Sequence, residues 1–333
     1  MTRNRMTLLA GKVLACASAI VGPVAAQPPE TAIAFPSRNI TLVVPYGPGG
    51  PPDIVARLLA TPLGDVIGRP VVVENRQGAS TSLGATQVAR AAPDGYTIML
   101  TDLGVAVAPA IMASAKYDPV RDLAPVVLIG KSWLGLTVHP DVPAKSVAEL
   151  IALSKARPGE IKFGTGGVGT PPHLVAIAFL QATGADLTHV PYRGVAQAIN
   201  DAVGGHISVI FVSQSATSAQ IAAGQLRLLG VSGPRRFPKA PDAPTFKELG
   251  IDLEDVEDGV WLGITAPAGT PAAIVDKLNG AVNKVLADPQ VRPKFDAIDF
   301  TLSGGTSAEL GHLLEKQTVF WRAKLKAAGI KAE

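Results

Sequence analysis

Three glycine- and hydroxyl-rich stretches hold the residues of this chain best suited to bind a ligand through the main chain. The first is Pro45-Tyr46-Gly47-Pro48-Gly49-Gly50-Pro51-Pro52-Asp53, the second Gln77-Gly78-Ala79-Ser80-Thr81-Ser82-Leu83-Gly84, and the third Gly164-Thr165-Gly166-Gly167-Val168-Gly169-Thr170-Pro171-Pro172-His173. Glycine lets the backbone approach a ligand with no side chain in the way, and a helix that begins there offers bare N–H groups with a partial positive charge. The expected guest is an anion. A small carboxylate fits, with Ser80, Thr81, Ser82, Thr165 and Thr170 as further hydroxyl donors. One helix terminus contributes about 0.3–1 kcal/mol to an exposed charge and up to about 2 kcal/mol when partly buried. Two opposed loops closing on one ligand are therefore expected. Asp53 suits the first turn of its helix electrostatically, a structural role that competes with ligand contact. His173 can touch a ligand or act as a local hydrogen-bonding cap.

Other chemistries find little support. The third loop spells G-x-G-x-x-G, but Thr170-Pro171-Pro172 interrupts the helix a dinucleotide site requires, and Asp186 precedes the next strand instead of closing it. No G-x-S-x-G elbow and no H-x-H or H-E-x-x-H spacing occurs, and His139, His173, His189, His206 and His312 are scattered singly. No enzyme, cofactor or metal is expected. Three Trp and four Tyr are few for a sugar site built on stacking platforms. The acidic run Asp252, Glu254, Asp255, Glu257 and Asp258 fits a solvated face better than a docking patch.

The elements that must position these loops are short β-branched runs alternating with helical stretches. Strands are expected at residues 40–44, 71–73, 96–100, 161–163, 207–211 and 261–265, as buried strands of parallel sheets. Helices are expected over 52–63, 84–91, 147–156, 172–183, 196–203 and 271–287. The alternation predicts an α/β fold, in which ligands bind where strand ends feed helices.

The first residues predict export: Arg3 and Arg5, an apolar run interrupted by Lys12, and Val24-Ala25-Ala26 resemble a secretory leader cleaved after Ala26. Cys16, in Leu14-Ala15-Cys16, only loosely resembles a lipoprotein cleavage site. The leader carries three of the 30 basic residues and none of the 27 acidic ones, so the mature chain is formally neutral. It has no electrostatic footprint for nucleic acid or an anionic membrane. The only cysteine leaves with the leader, so no disulfide supports the mature chain. No other stretch of 18 apolar residues without charge occurs, so the mature protein is not expected to span a membrane. Its length exceeds what one core usually organises, and two lobes are expected.

Six further stretches carry a family resemblance when taken in order with the first loop: Phe35-Pro36-Ser37-Arg38-Asn39-Ile40, Val73-Glu74-Asn75-Arg76, Ala91-Ala92-Pro93-Asp94-Gly95-Tyr96-Thr97, Pro143-Ala144-Lys145-Ser146, His189-Val190-Pro191-Tyr192-Arg193-Gly194 and Ala266-Pro267-Ala268-Gly269-Thr270-Pro271. Over nearly the whole mature length the chain resembles the substrate-binding proteins of tripartite tricarboxylate transporters, the Bug receptor family. The resemblance implies a type II-like periplasmic binding protein, with two α/β lobes joined by two crossovers and closing on a carboxylate. It also implies a periplasmic monomer that hands its ligand to transporter membrane subunits. A secreted subunit that shows the ligand to a signalling partner is the alternative. Carried onto this sequence, lobe one (27–130 plus 253–333) contributes contacts from Tyr46, Pro48, Gly49, Gly50, Asp53, Ser80, Thr81, Ser82 and Thr101. Lobe two (131–252) contributes Thr165, Gly169, Thr170, His173 and Ser213. The sequence departs from the family pattern at Val212, where many relatives carry Asp, and at Ser80, where glycine is usual. Loss of that acceptor at Val212 makes an amine-free carboxylate the expected ligand, with an apolar or aromatic body admissible.

Overall fold

A computed structural model describes residues 35–256 and 259–327. The expected leader, Cys16, and Glu257 and Asp258 of the acidic run lie outside the described residues. The chain first builds β1 (Ile40–Val44), α1 (Pro51–Ile67), β2 (Val71–Asn75), α2 (Ser82–Ala89), β3 (Thr97–Asp102), α3 (Leu103–Ile111) and β4 (Leu123–Ser132). It continues through β5 (Gly135–Val138), α4 (Val147–Ala156), β6 (Lys162–Thr165), α5 (Pro171–Thr183), β7 (Thr188–Pro191), α6 (Val195–Val203), β8 (Val209–Val212), α7 (Gln214–Ala222) and β9 (Arg227–Val231). It ends with β10 (Val260–Pro267), α8 (Ala272–Leu286), α9 (Arg292–Asp296), β11 (Thr301–Leu302) and α10 (Ser307–Ala327).

Two sheets result, one per lobe. The first has the order β11-β4-β10-β3-β1-β2 and the second β7-β6-β8-β5-β9. β1 lies parallel to β2 and β3, and β6 parallel to β7 and β8. The expectation of purely parallel sheets is corrected by β10, antiparallel to β3 and β4, and by β5, antiparallel to β8 and β9. Both are the strands that receive the chain from the other lobe. A strand entering from outside the βαβ succession is free of the crossover that forces parallel pairing.

Local sequence explains the elements nearest the loops. In β1, Ile40, Leu42, Val43 and Val44 are all buried and only Thr41 is half-buried, as in a strand covered on both faces. α1 places Pro51 and Pro52 in its first turn, where the fixed φ helps and a missing N–H costs little, and stops at Gly68 in the left-handed conformation. α3 is apolar on nearly every side and buried from Leu103 to Ala108 and again at Ile111. It needs that sequence because Leu103, Ala106, Val107 and Ile111 join one cluster with Leu136, Phe163 and Phe211 of the second sheet and Leu314 and Trp321 of α10. A second cluster packs β1, β3 and β10 against α1 and α8. The chain passes from the first sheet to the second between Ser132 and Gly135 and returns between Val231 and Val260. Among the described residues no helix is long and apolar enough to cross a membrane.

Candidate functional site

Loops one and three sit where β1 and β6 feed α1 and α5, and they repeat one local design. Gly49 and Gly169 have φ of 81° and 73°, which an L side chain adopts only under strain. Each is followed by a non-helical cap residue, then Pro-Pro, then a side chain that turns back to the glycine. Gly49 N–H donates to Asp53 Oδ2 (2.9 Å) and Gly169 N–H to His173 Nδ1 (3.0 Å). The expectation of bare N–H donors at these two helix starts is corrected on both counts. Proline removes the first two donors of each helix, and the glycine amide is taken by its own loop.

The two closing side chains differ in charge. Asp53, almost fully buried, also accepts from Arg57 Nε (2.9 and 3.0 Å) and Asn75 Nδ2 (2.9 Å). Burial alone would raise its pKa, but these donors outweigh it and hold the carboxyl below its ordinary value. These bonds all lie within lobe one, which is the structural role expected for Asp53 beside ligand contact. His173 is buried and stacks on His189 (4.1 Å between centroids), which stacks in turn on Phe163 (4.8 Å). Burial, with the neighbouring His189, pushes the pKa of His173 down to about 3, and burial pushes His189 to about 4. Both rings are neutral at neutral pH. Accepting at Nδ1 places the proton of His173 on Nε2. Thr165 Oγ1 meets His189 Nε2 (2.7 Å) and bonds with the Gly167 backbone, while Thr170 Oγ1 donates to Gly167 O (2.8 Å). These two hydroxyls, expected as ligand donors, brace the turn at Gly166-Gly167.

Loop two is strained. Ala79, Ser80 and Thr81 have φ of 45°, 48° and 77°, three successive non-glycine residues in left-handed conformation at about 1–2 kcal/mol each. Ser82 Oγ donates to Ala79 O (2.7 Å), holding that turn. Such strain persists only where surrounding structure imposes it, a common feature of ligand clamps.

The third helix start of lobe one carries no clear signal in the sequence. Asp102, which the strand pattern hides at the end of β3, is buried and caps α3: Oδ1 accepts from Val105 N–H (3.0 Å) and Oδ2 from Tyr46 Oη (2.5 Å). Burial raises its carboxyl to about 6, although the bonds from Tyr46, Val105 and Gly104 pull the other way. Burial, then Asp102, raises the Tyr46 phenol well above its usual value. A Cβ at Gly104 would lie 2.6 Å from Tyr46 Oη and 3.4 Å from Thr81 Cγ2, so loops one and two and the start of α3 converge there. Thr101 is fully buried, and its hydroxyl has no protein partner among the described residues.

Lobe two adds two helix starts. α6 begins at Gly194 with no side-chain cap, and a Cβ on Gly166 would lie 3.2 Å from Val195 N, so this start abuts loop three. α7 begins at Ser213, buried at the end of β8. Its Ser215 N–H faces Asp299, which reaches over from the corner between α9 and β11 with φ of 54°. Nearby, Lys239 Nζ donates to Ala297 O (3.5 Å), a second link between the lobes. Val212 is buried with Ile199, Ile210 and Leu226 in the apolar cluster under α6. The lobes also touch at loop three itself: a Cβ on Gly169 would overlap the Ile111 side chain at the far end of α3.

The loops thus lie at the strand ends of two lobes bridged by α3. Ser80, Thr81, Ser82 and Tyr46 gather near Gly104, whereas Pro48 and Gly49 are exposed on the outer part of loop one and Gly50 opens α1.

Comparison with known proteins gives a consistent result. Residues 55–330 match the model of the tripartite tricarboxylate transporter family receptor. The chain is 33% identical to protein BugT of Bordetella pertussis over 322 residues, 96% of this chain and 98% of that one. Among solved structures, the periplasmic binding protein BugD superposes with a TM-score of 0.81 at 33% identity, covering 90% of this chain and all of that one. Rpa4515 of R. palustris, solved with adipate, gives 0.82 at 32% identity with the same coverage.

Proposed function

The chain belongs to the tripartite tricarboxylate transporter receptor family, whose members are periplasmic solute-binding receptors and not enzymes, and from that premise we propose what it captures and where. It is a periplasmic receptor, exported by a leader cleaved after Ala26, that binds one small amine-free di- or aromatic carboxylate between its lobes. It delivers the ligand as a monomer to the membrane subunits of a tripartite tricarboxylate-type transporter. Lobe one comprises 27–130 plus 253–333 and lobe two 131–252, with the crossing segments as the hinge.

The observation that carries this reading is the pair of glycine loops at the strand ends of opposite lobes, linked by α3, which starts beside Tyr46 and Thr81 and ends with Ile111 against Gly169. Both hold their own side chains in internal bonds, which is the preorganisation a binding protein needs. Adipate in the related Rpa4515 supports a carboxylate. The contacts are Tyr46, Pro48, Gly49, Gly50, Ser80, Thr81, Ser82 and Thr101 from lobe one and Thr165, Gly169, Thr170, His173 and Ser213 from lobe two. The uncapped start of α6 adds main-chain donors beside loop three. Val212 in its apolar cluster offers no acceptor for an amine, which favours an amine-free acid.

A thermal-shift screen of residues 27–333 against mono-, di- and tricarboxylates, aromatic acids, amino acids, sugars and nicotinamide cofactors tests the proposal. A ligand at a hundredfold excess over its dissociation constant adds about 2.7 kcal/mol of stability. Shifts confined to carboxylates support it. Shifts from glutamate or aspartate above all other acids remove the amine-free reading, and shifts from sugars or nucleotides alone remove the carboxylate reading.

A further inference from the structure

The starts of α1 and α3 in lobe one each hold an anion of the protein's own: Asp53 is paired with Arg57, whereas Asp102 is bonded to Tyr46 and the Val105 N–H. Asp102 lies where loops one and two and α3 meet, with a Gly104 Cβ position 3.2 Å from its Oδ1 and 2.6 Å from Tyr46 Oη. Its two oxygens take the Val105 N–H (3.0 Å) and the Tyr46 hydroxyl (2.5 Å). The donors and the positive end of α3 that would attract a ligand carboxylate are thereby consumed. Building on the receptor reading above, we propose that Asp102 is a specificity-determining residue that keeps a second ligand carboxylate out of lobe one. The favoured ligand turns an end without negative charge toward Tyr46 and Thr81 and its carboxylate toward lobe two. Within the di- and aromatic class, that selects acids with a single carboxylate in the cleft.

The chemistry around Asp102 supports this assignment. The titratable groups that face it are Tyr46 from loop one and Tyr117 from the segment after α3, whose hydroxyl donates to Val105 O (2.7 Å). Burial raises both phenols, and Asp102 raises them further, so each is neutral. Its carboxyl is held by the Tyr46 hydroxyl and the backbone N–H groups of Val105 and Gly104, all neutral donors. Burial brings its carboxyl to about 6, so the repulsion is full at pH 7.5 and relaxed at pH 5.5.

The test compares wild type, Asp102→Asn and Tyr46→Phe. Asn caps a helix as well as Asp, so the first variant keeps the fold and removes the charge. For every dicarboxylate in the panel that binds, affinity is measured by titration calorimetry at pH 7.5 and 5.5 beside that of its monomethyl ester. In wild type the ester is preferred at pH 7.5, and the preference shrinks at pH 5.5. In Asp102→Asn the ratio of diacid to ester affinity rises by about tenfold at pH 7.5, and its change with pH shrinks to that set by the ligand's own second carboxyl. Tyr46→Phe removes a donor to the carboxylate and moves the pH midpoint upward. An equal ratio in wild type and Asp102→Asn, with the same pH profile, overturns the inference while leaving the receptor reading intact. Failure of every acid and ester to bind any of the three proteins overturns the receptor reading, and the inference with it.

Discussion

Loops one and three solve the same backbone problem with different side chains. Each has a left-handed glycine, a Pro-Pro helix start and an acceptor at the third helical position that takes the glycine amide. Loop one closes with a charged Asp53 locked by Arg57 and Asn75; loop three closes with a neutral His173 stacked on His189. The difference teaches which loop senses its surroundings. Loop one is tied entirely within lobe one, with open space beside Gly49, whereas Gly169 lies against Ile111 of the other lobe. Loop three is therefore the one whose geometry depends on how the lobes meet.

The largest effect should come from breaking that contact. Gly169→Ala places a methyl against Ile111 in addition to left-handed strain, and ligand affinity should fall at least a hundredfold. The double variant Gly169→Ala/Ile111→Ala should recover most of it. Gly49→Ala meets nothing within 4 Å, so it should cost only the strain, about 1–2 kcal/mol of stability in denaturant melts. Equal binding losses in the two glycine variants would erase the distinction between the loops.

Removing the closing side chains comes next. Asp53→Ala leaves the Gly49 amide, Asn75 and Arg57 without their acceptor, and should lower stability by about 2 kcal/mol, read from the urea midpoint. Asp53→Asn, which keeps part of the acceptor set, should cost less.

Acid separates the loops by titration. His173 and His189 have folded pKa values of about 3 and about 4, below the ordinary histidine value, so the unfolded chain binds protons that the folded one refuses. Their contribution is complete above about pH 6.5 and is lost as pH falls toward those values, by up to about 1.4 kcal/mol per pH unit for each ring. The Asp53 carboxyl is depressed instead, so its contribution persists until pH falls below the ordinary carboxylate range. Between pH 6.5 and 4.5 wild type should lose urea stability, and His173→Asn, which retains an acceptor for Gly169, should lose visibly less. Identical slopes would remove the histidine pair as the cause.

The smallest effect is expected at Thr170→Val, which removes one donor to Gly167 O and should cost about 1 kcal/mol by the same melts.

Much of this design was legible in the chain, and the limits are physical. β1 is legible because four of its five residues are apolar and β-branched or leucine, and α4 because its apolar spacing is helical with Ser146 as cap. α3 is not legible: Leu103–Ile111 is buried on nearly all sides and contains Pro109, so no amphipathic period marks it. The reversed direction of β5 and β10 was equally hidden, because strand polarity is fixed by where the chain comes from and not by local residue pattern. At the site, glycines and Pro-Pro pairs announce the loops, but not that Pro-Pro strips them of donors or that Asp53 and Thr165 also bond within their own loops. Asp102 reads as the polar end of a strand, and only its bond to Tyr46, 56 residues earlier, reveals it. Asp299 is similarly remote from Ser215 in sequence, and its meeting with α7 depends on how the two lobes pack.

The most direct test of a cleft that closes on a carboxylate is calorimetric titration of wild type, Gly169→Ala and Gly169→Ala/Ile111→Ala with the carboxylate that most stabilises the protein. One site per chain in wild type, binding lost in the single variant and regained in the double variant is the predicted result. Undiminished one-to-one binding by Gly169→Ala would contradict the account, because the ligand would then lie elsewhere than between loop three and lobe one.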